Sequence, residues 1–276
     1  MRTELGVVGS PIQHSLSPVI HNATYAHLGL DFSYQKHEVA SGDLRNFLNE
    51  SNLSGVSVTM PLKREAFELA DSHDDQAGIT GVVNTLLRHS GLWRGHNTDV
   101  SGFIHCFRAL SNVQIVTILG SGATARSAAL AVSKCFPEAN VFIAARNQTS
   151  ANSIVELLTR LGMRACSIAP ELAIILGSDL VVSTVPGGAL DELWHQVGLE
   201  DEIPAGTLFD VAYDPWPSSA ATSWGKDSIS GLDLLIWQAV EQVKIFAAAL
   251  GAPVVVSDDE LYKVMTKALN EESKLN

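Results

Sequence analysis

Short apolar runs rich in β-branched residues alternate along this chain with longer stretches whose apolar positions recur at helical spacing. That alternation predicts an α/β layer architecture. Strands are expected near residues 5–8, 32–39, 55–59 and 82–87, with helices after Ser17, Ser41 and Pro61. A second series starts at Val113: a strand, a helix to about Cys135, a strand at 141–145, a helix after Thr149, and strands near 180–183 and 207–211. This second pattern is that of a doubly wound parallel sheet. From Asp233 to Ala249 the pattern reads as one long helix, and Ser257-Asp258-Asp259-Glu260 opens another. We therefore expect an α/β protein of two domains, an N-terminal one over 1–102 completed by helices over 238–276, and a Rossmann-like one over 103–237.

Composition narrows the class without changing that picture. With 276 residues, 46% hydrophobic and 17% charged, the chain can bury large cores and carries no mark of disorder. A formal net charge of −12 argues against nucleic acid, whose phosphates need clustered Lys and Arg, so an anionic ligand must be met by local donors. The start has no apolar targeting segment and no stretch reaches membrane-spanning length, so a cytoplasmic protein is expected. Its expected partner is a small-molecule substrate, with the chain a monomer or homodimer. Cys106, Cys135 and Cys166 are far apart, which indicates neither disulfides nor a metal site, and we expect three thiols in or near the core.

Gly120-Ser121-Gly122-Ala123-Thr124-Ala125 follows an apolar strand and opens an alanine-rich helix. In that setting the glycines let backbone N–H groups approach a pyrophosphate, Ala125 permits close helix packing, and the positive helix end faces the anion. An NAD site would place a carboxylate at the end of the next strand, to accept from a ribose hydroxyl. Here Arg146 and Asn147 stand there instead, with Thr149 close by. A guanidinium suits a 2′-phosphate, so the expected cofactor is NADP.

Three segments of the first half place polar side chains at element ends, where α/β folds line their clefts. Ser15 and Ser17 lie at a strand-to-helix junction, Ser17 reading as the N-cap ahead of Pro18; their hydroxyls at a positive helix end suit a small polyol acid. Thr59 ends a buried strand, and Pro61 launches a helix that carries Lys63. Asn97-Thr98-Asp99 adds an amide, a hydroxyl and a carboxylate, preceded by Val83-Asn84-Thr85.

Taken in order, Ser15-Leu16-Ser17-Pro18, Val58-Thr59-Met60-Pro61-Leu62-Lys63, Val83-Asn84-Thr85, Asn97-Thr98-Asp99, the glycine loop, Tyr213-Asp214-Pro215 and Gly231-Leu232 with Gln238 resemble the shikimate dehydrogenase family over most of the chain. The resemblance implies that Lys63 and Asp99 form the catalytic pair. It further implies that Ser15, Ser17, Thr59, Asn84 and Gln238 hold the substrate carboxylate and hydroxyls, with Tyr213 beside the substrate and Gly231 beside the nicotinamide. Three positions depart from the family's usual residues: Ser57 stands for Asn, Ser150 for a second arginine, and Leu235 or its neighbour for Met. The first leaves one substrate contact open, the second thins the phosphate clamp, and the third concerns packing near the nicotinamide.

The reaction so implied is reversible, metal-free hydride transfer between NADP(H) and 3-dehydroshikimate or shikimate, with Lys63 exchanging the proton. A quinate/shikimate dehydrogenase would use the same motifs. A non-catalytic NADP-binding sensor would lack the acid–base pair, and both of its residues are present. A folate-linked dehydrogenase with a catalytic lysine would not explain the Ser-Leu-Ser-Pro run.

Overall fold

The computed structural model describes residues 2–186, 188, 191–199, 204–225 and 227–274, with side chains left out over 196–199. The chain divides into two compact units, residues 1–102 with 235–276, and 103–234. The return to the first unit thus comes at Leu235, slightly ahead of the expected Gln238.

The first unit opens with β1 (Thr3–Gly9), α1 (Ser17–His27), β2 (Phe32–Glu38), α2 (Leu44–Glu50), β3 (Gly55–Val58) and α3 (Lys63–Leu69). It continues with β4 (Ser72–His73), α4 (Asp75–Thr80), β5 (Thr85–His89), β6 (Leu92–His96) and α5 (Thr98–Phe107), which crosses the boundary. Its sheet has the order β2-β1-β3-β5-β6-β4. β1 pairs in parallel with β2 and β3, so its Leu5, Val7 and Val8 form a continuous buried run, as a strand covered on both faces should. β3 and β5 run antiparallel, which carries the ends of β3 and α3 back toward Asn84.

The expected strand at 82–87 starts only at Thr85. Val82 and Val83 are fully buried and read as strand, but the Val83 N–H goes to the Lys63 carbonyl (3.1 Å) and not to a sheet ladder. β6 escaped the sequence reading because Arg94 and Gly95 interrupt its apolar positions; it is joined to β5 by Ser90 (φ 51°) and Gly91 (φ 81°), the left-handed pair of a tight hairpin.

The second unit holds β7 (Ile115–Leu119), α6 (Ala123–Cys135), β8 (Asn140–Ala144), α7 (Gln148–Arg160), β9 (Arg164–Ile168) and α8 (Leu172–Leu176). After these come β10 (Leu180–Ser183), α9 (Asp191–Leu199), β11 (Thr207–Asp210), α10 (Ser219–Trp224), β12 (Ser228–Ser230) and the start of α11 (Gly231–Ala249). All pairings in the order β12-β11-β10-β7-β8-β9 are parallel, the doubly wound arrangement with its switch point between β7 and β10. α6 packs with Ala125, Ala128, Ala129 and Ala131 fully buried. α11 and α12 (Asp258–Glu272) complete the first unit. Ser257 caps α12 by accepting from Glu260 N, as its sequence announces.

Among the described residues no helix is long and apolar enough to cross a membrane. Cys106 and Cys135 are partly covered, but Cys166 is exposed, which corrects the expectation of three core thiols. It sits on β9, the outermost strand of its sheet.

Candidate active site

In the first unit the fold brings four of the expected residues into one cluster. Lys63 is the first residue of α3, and its ammonium donates to Asp99 Oδ2 at 2.6 Å. Asp99 lies inside the first turn of α5 and its other oxygen, Oδ1, accepts from Asn84 Nδ2 at 2.8 Å. The side chains of Lys63 and Asp99 are 14% and 7% exposed, so the pair is held largely out of water while still open to a small molecule. Asn84 Nδ2 also reaches Gln238 Oε1 (3.4 Å), and Gln238 donates to the Leu235 carbonyl. A buried carboxylate with a cation on one oxygen and an amide on the other has its charge balanced and its rotamer fixed.

One residue of this cluster, Gln242, escaped the sequence reading; it donates to Thr85 Oγ1 at 2.9 Å. Thr98, expected to offer its hydroxyl, also donates its backbone N–H to Asn84 Oδ1 at 2.8 Å. Gln242 follows Gln238 by one helical turn on α11, a spacing that puts both on one face. Ser57, whose substitution left a contact open, is buried and fully engaged: Tyr34 donates to its Oγ, and it donates to Gln242 Oε1 at 2.7 Å.

The serine segment corrects one expectation. α1 begins at Ser17 with Leu16 at the N-cap, and no side chain caps it, so Ser17 is not the cap and Pro18 is not its first residue. The hydroxyl that holds the turn is that of Ser15, which accepts from Ser17 N at 3.3 Å. Ser17 Oγ makes no hydrogen bond among the described residues and is free for a ligand. Thr59, just past β3, packs its methyl against Gly9: a Cβ there would collide with Thr59 Cγ2 and stand 2.9 Å from the Met60 carbonyl. Only glycine lets the two strand ends come so close.

In the second unit the glycine loop has the form its motif requires. Gly120 has φ +104°, and a Cβ there would stand 2.7 Å from Thr184 Oγ1. Gly122 is the N-cap of α6 with no side-chain cap and open space where a Cβ would be; no acidic residue follows in the first turn. Together with Ser121, Ala123, Thr124 and the buried Ala125, this leaves uncapped N–H groups at a positive helix end, a cradle that fits a pyrophosphate. Arg146, exposed just beyond β8, fits a 2′-phosphate. Asn147 is partly reassigned: its Oδ1 caps α7 by accepting from Ser150 N (3.0 Å), so only its NH₂ remains for a ligand.

Tyr213 and Gly231 are neighbours in this unit, since Gly231 N donates to the Ala212 carbonyl. A Cβ at Gly231 would collide with the Val211 carbonyl, so close backbone approach alone demands glycine here. Burial, reinforced by Asp214, holds the Tyr213 hydroxyl above its usual pKa, so it stays a donor.

A family model described as the shikimate dehydrogenase substrate binding domain matches residues 7–86. A relative from Oleidesulfovibrio alaskensis named shikimate dehydrogenase (NADP(+)) is 32% identical over 252 residues, 87% of this chain and 88% of that protein. The chain belongs to the shikimate dehydrogenase family. The crystal structure of Mycobacterium tuberculosis shikimate dehydrogenase matches with a TM-score of 0.83 at 32% identity, covering 98% of this chain and 99% of that one. The Thermus thermophilus enzyme, solved in complex with NADP(H) and shikimate, matches with a TM-score of 0.77 at 26% identity over 96% of this chain and 99% of that one. Membership makes the chain an oxidoreductase of two-domain α/β fold.

Proposed function

We propose that this chain catalyses the reversible reduction of 3-dehydroshikimate to shikimate with NADP(H), and that Lys63 exchanges the proton. The observation that carries this reading is the largely buried Lys63–Asp99 pair at 2.6 Å, locked by Asn84. When bound, the cofactor supplies or removes the hydride. As negative charge grows on the carbonyl oxygen, the Lys63 ammonium stabilises it and donates a proton; in the oxidative direction the neutral amine takes the proton back. Asp99 keeps the ammonium in place and accepts from a substrate hydroxyl, which the exposed remainder of its surface permits. Asn84 and Thr59 at strand ends and Gln238 on α11 supply further polar contacts, and the free Ser17 hydroxyl with Ser15 receives the carboxylate. In the second unit the glycine loop takes the pyrophosphate, Arg146 the 2′-phosphate, and Gly231 and Tyr213 the nicotinamide end and the substrate respectively.

Initial rates with shikimate and quinate, each with NADP⁺ and NAD⁺, test the reading. Shikimate with NADP⁺ should give the highest kcat/KM; a higher value with quinate or with NAD⁺ would correct the substrate or the cofactor, and no reduction of either cofactor would overturn the activity.

A further inference from the structure

We propose that Gln242, acting through Thr85, is a positioning residue for the Lys63–Asp99 pair: it sets which way round the Asn84 amide stands, and so which Asp99 oxygen is left for the lysine. The claim rests on Lys63 and Asp99 being the reacting pair. Gln242 is 1% exposed and polar atoms surround both ends of its amide. Its Oε1 faces Ser57 Oγ (2.7 Å) and His21 Nε2 (3.2 Å). Ser57 already accepts from the Tyr34 hydroxyl, which frees its own hydrogen for Gln242. His21 is wholly buried, and burial pulls its pKa down to about 3, so the ring is neutral. Because Gln242 Oε1, an acceptor, faces Nε2, the ring hydrogen stands on Nε2, and Nδ1, 3.2 Å from the Tyr25 hydroxyl, is left to accept from it. Two donors therefore hold the Gln242 oxygen, and its NH₂ must face the other way.

There it donates to Thr85 Oγ1 (2.9 Å) and the Asn84 carbonyl (3.4 Å). Thr85, now an acceptor, gives its own hydrogen to Asn84 Oδ1 at 2.9 Å, where the Thr98 N–H also arrives at 2.8 Å. With its oxygen so held, the Asn84 amide turns its NH₂ to Asp99 Oδ1 (2.8 Å), and Oδ2 remains for Lys63 (2.6 Å). Inverting either amide would set donor against donor and acceptor against acceptor inside a buried network, where polar groups need partners. The polarity therefore runs without a break from Tyr34 and His21 to the lysine.

Thr85→Val, which keeps the shape and removes the hydroxyl, tests this in the full-length protein, with Gln242→Met as the second variant. In shikimate oxidation with NADP⁺, kcat should fall about 10-fold in each, with a smaller rise in KM for shikimate because Asn84 and Asp99 also face the substrate. Thr85→Ser should restore kcat, and on an Asp99→Asn background Thr85→Val should cause no further loss. A crystal structure of Thr85→Val should show the Asn84 amide turned or Asp99 displaced, whatever the activity. Unchanged kcat in both variants, an equal loss on the Asp99→Asn background, or Asn84 and Asp99 undisturbed in that structure would each overturn the inference. Wild-type protein inactive on shikimate would instead overturn the functional reading, while the crystal structure still decides this one.

Discussion

Replacing Lys63 by alanine probes the chemistry and the electrostatics of the pair together. The mutation removes the cation 2.6 Å from Asp99 Oδ2 and leaves a carboxylate only 7% exposed with Asn84 Nδ2 as its remaining partner. Loss of a general acid lowers kcat by roughly 10²–10⁴-fold, equivalent to about 3–5 kcal/mol of transition-state stabilisation. Stability should fall as well, because breaking a buried ion pair from one side costs about 3–5 kcal/mol. Here the carboxylate keeps an amide donor and a small water-facing surface, so about 2–3 kcal/mol is expected, or roughly 4–12 °C in the melting of a unit this size. Adding Asp99→Asn should recover most of that loss, since the stranded charge is gone, yet restore none of the activity. Initial rates at saturating shikimate and NADP⁺ with melting curves for the single and double variants make the check. A Lys63→Ala protein keeping more than half the wild-type kcat would refute the catalytic assignment, and a double variant as unstable as the single one would refute the electrostatic account.

Three further outcomes follow from other parts of the structure. Arg146 is exposed and the backbone N–H of Ser150 is taken by Asn147, so one guanidinium should confer about 10–30-fold preference for NADP⁺ over NAD⁺ in kcat/KM, and Arg146→Ala should abolish it by weakening NADP⁺ alone; an unchanged ratio would show a mere surface charge. Ser15→Ala should lower the melting temperature as well as shikimate affinity, because its hydroxyl holds the Ser17 N–H, at about 0.5–1 kcal/mol; Ser17→Ala should raise KM with little change in melting, and the reverse order would refute the assignment. His21 is neutral when folded down to about pH 3 but titrates near 6.5 when unfolded, so the unfolded chain binds the extra proton between these values and stability falls as the medium is acidified, by up to about 1.4 kcal/mol per pH unit. Urea melts at pH 7, 6 and 5 should show His21→Gln losing less stability than wild type over that range, and parallel losses would contradict the burial argument.

How far the molecule could be read from its sequence depended on whether the signal was local. Parallel strands buried on both faces must be continuous apolar runs, so β1, β3, β7 and β10 stand out, and the Gly120–Ala125 loop is recognisable because backbone approach and helix packing tolerate only small residues there. β6 and β12 did not, because short strands and those interrupted by charge carry too little periodicity. Val82 and Val83 misled for the opposite reason: they are buried like strand residues, but the N–H of Val83 finds its partner in a carbonyl on α3.

At the site, polar groups at element ends marked Lys63, Asp99 and Asn84, while the family resemblance added Gln238 and gave all four their expected roles. Which atom meets which was not written locally. The exchange of roles between Ser15 and Ser17 depends on where α1 takes its first helical residue, a boundary that Leu16 decides by its backbone angles. The link from Gln242 to Asn84 joins residues 158 positions apart, and nothing in either neighbourhood foretells it. By itself the sequence determined most of the elements, the glycine loop between β7 and α6 and the chemistry available, because these follow from burial and local geometry. Only the tertiary structure decided the direction of each hydrogen bond, because a donor's choice among acceptors is made by what the whole unit packs around it.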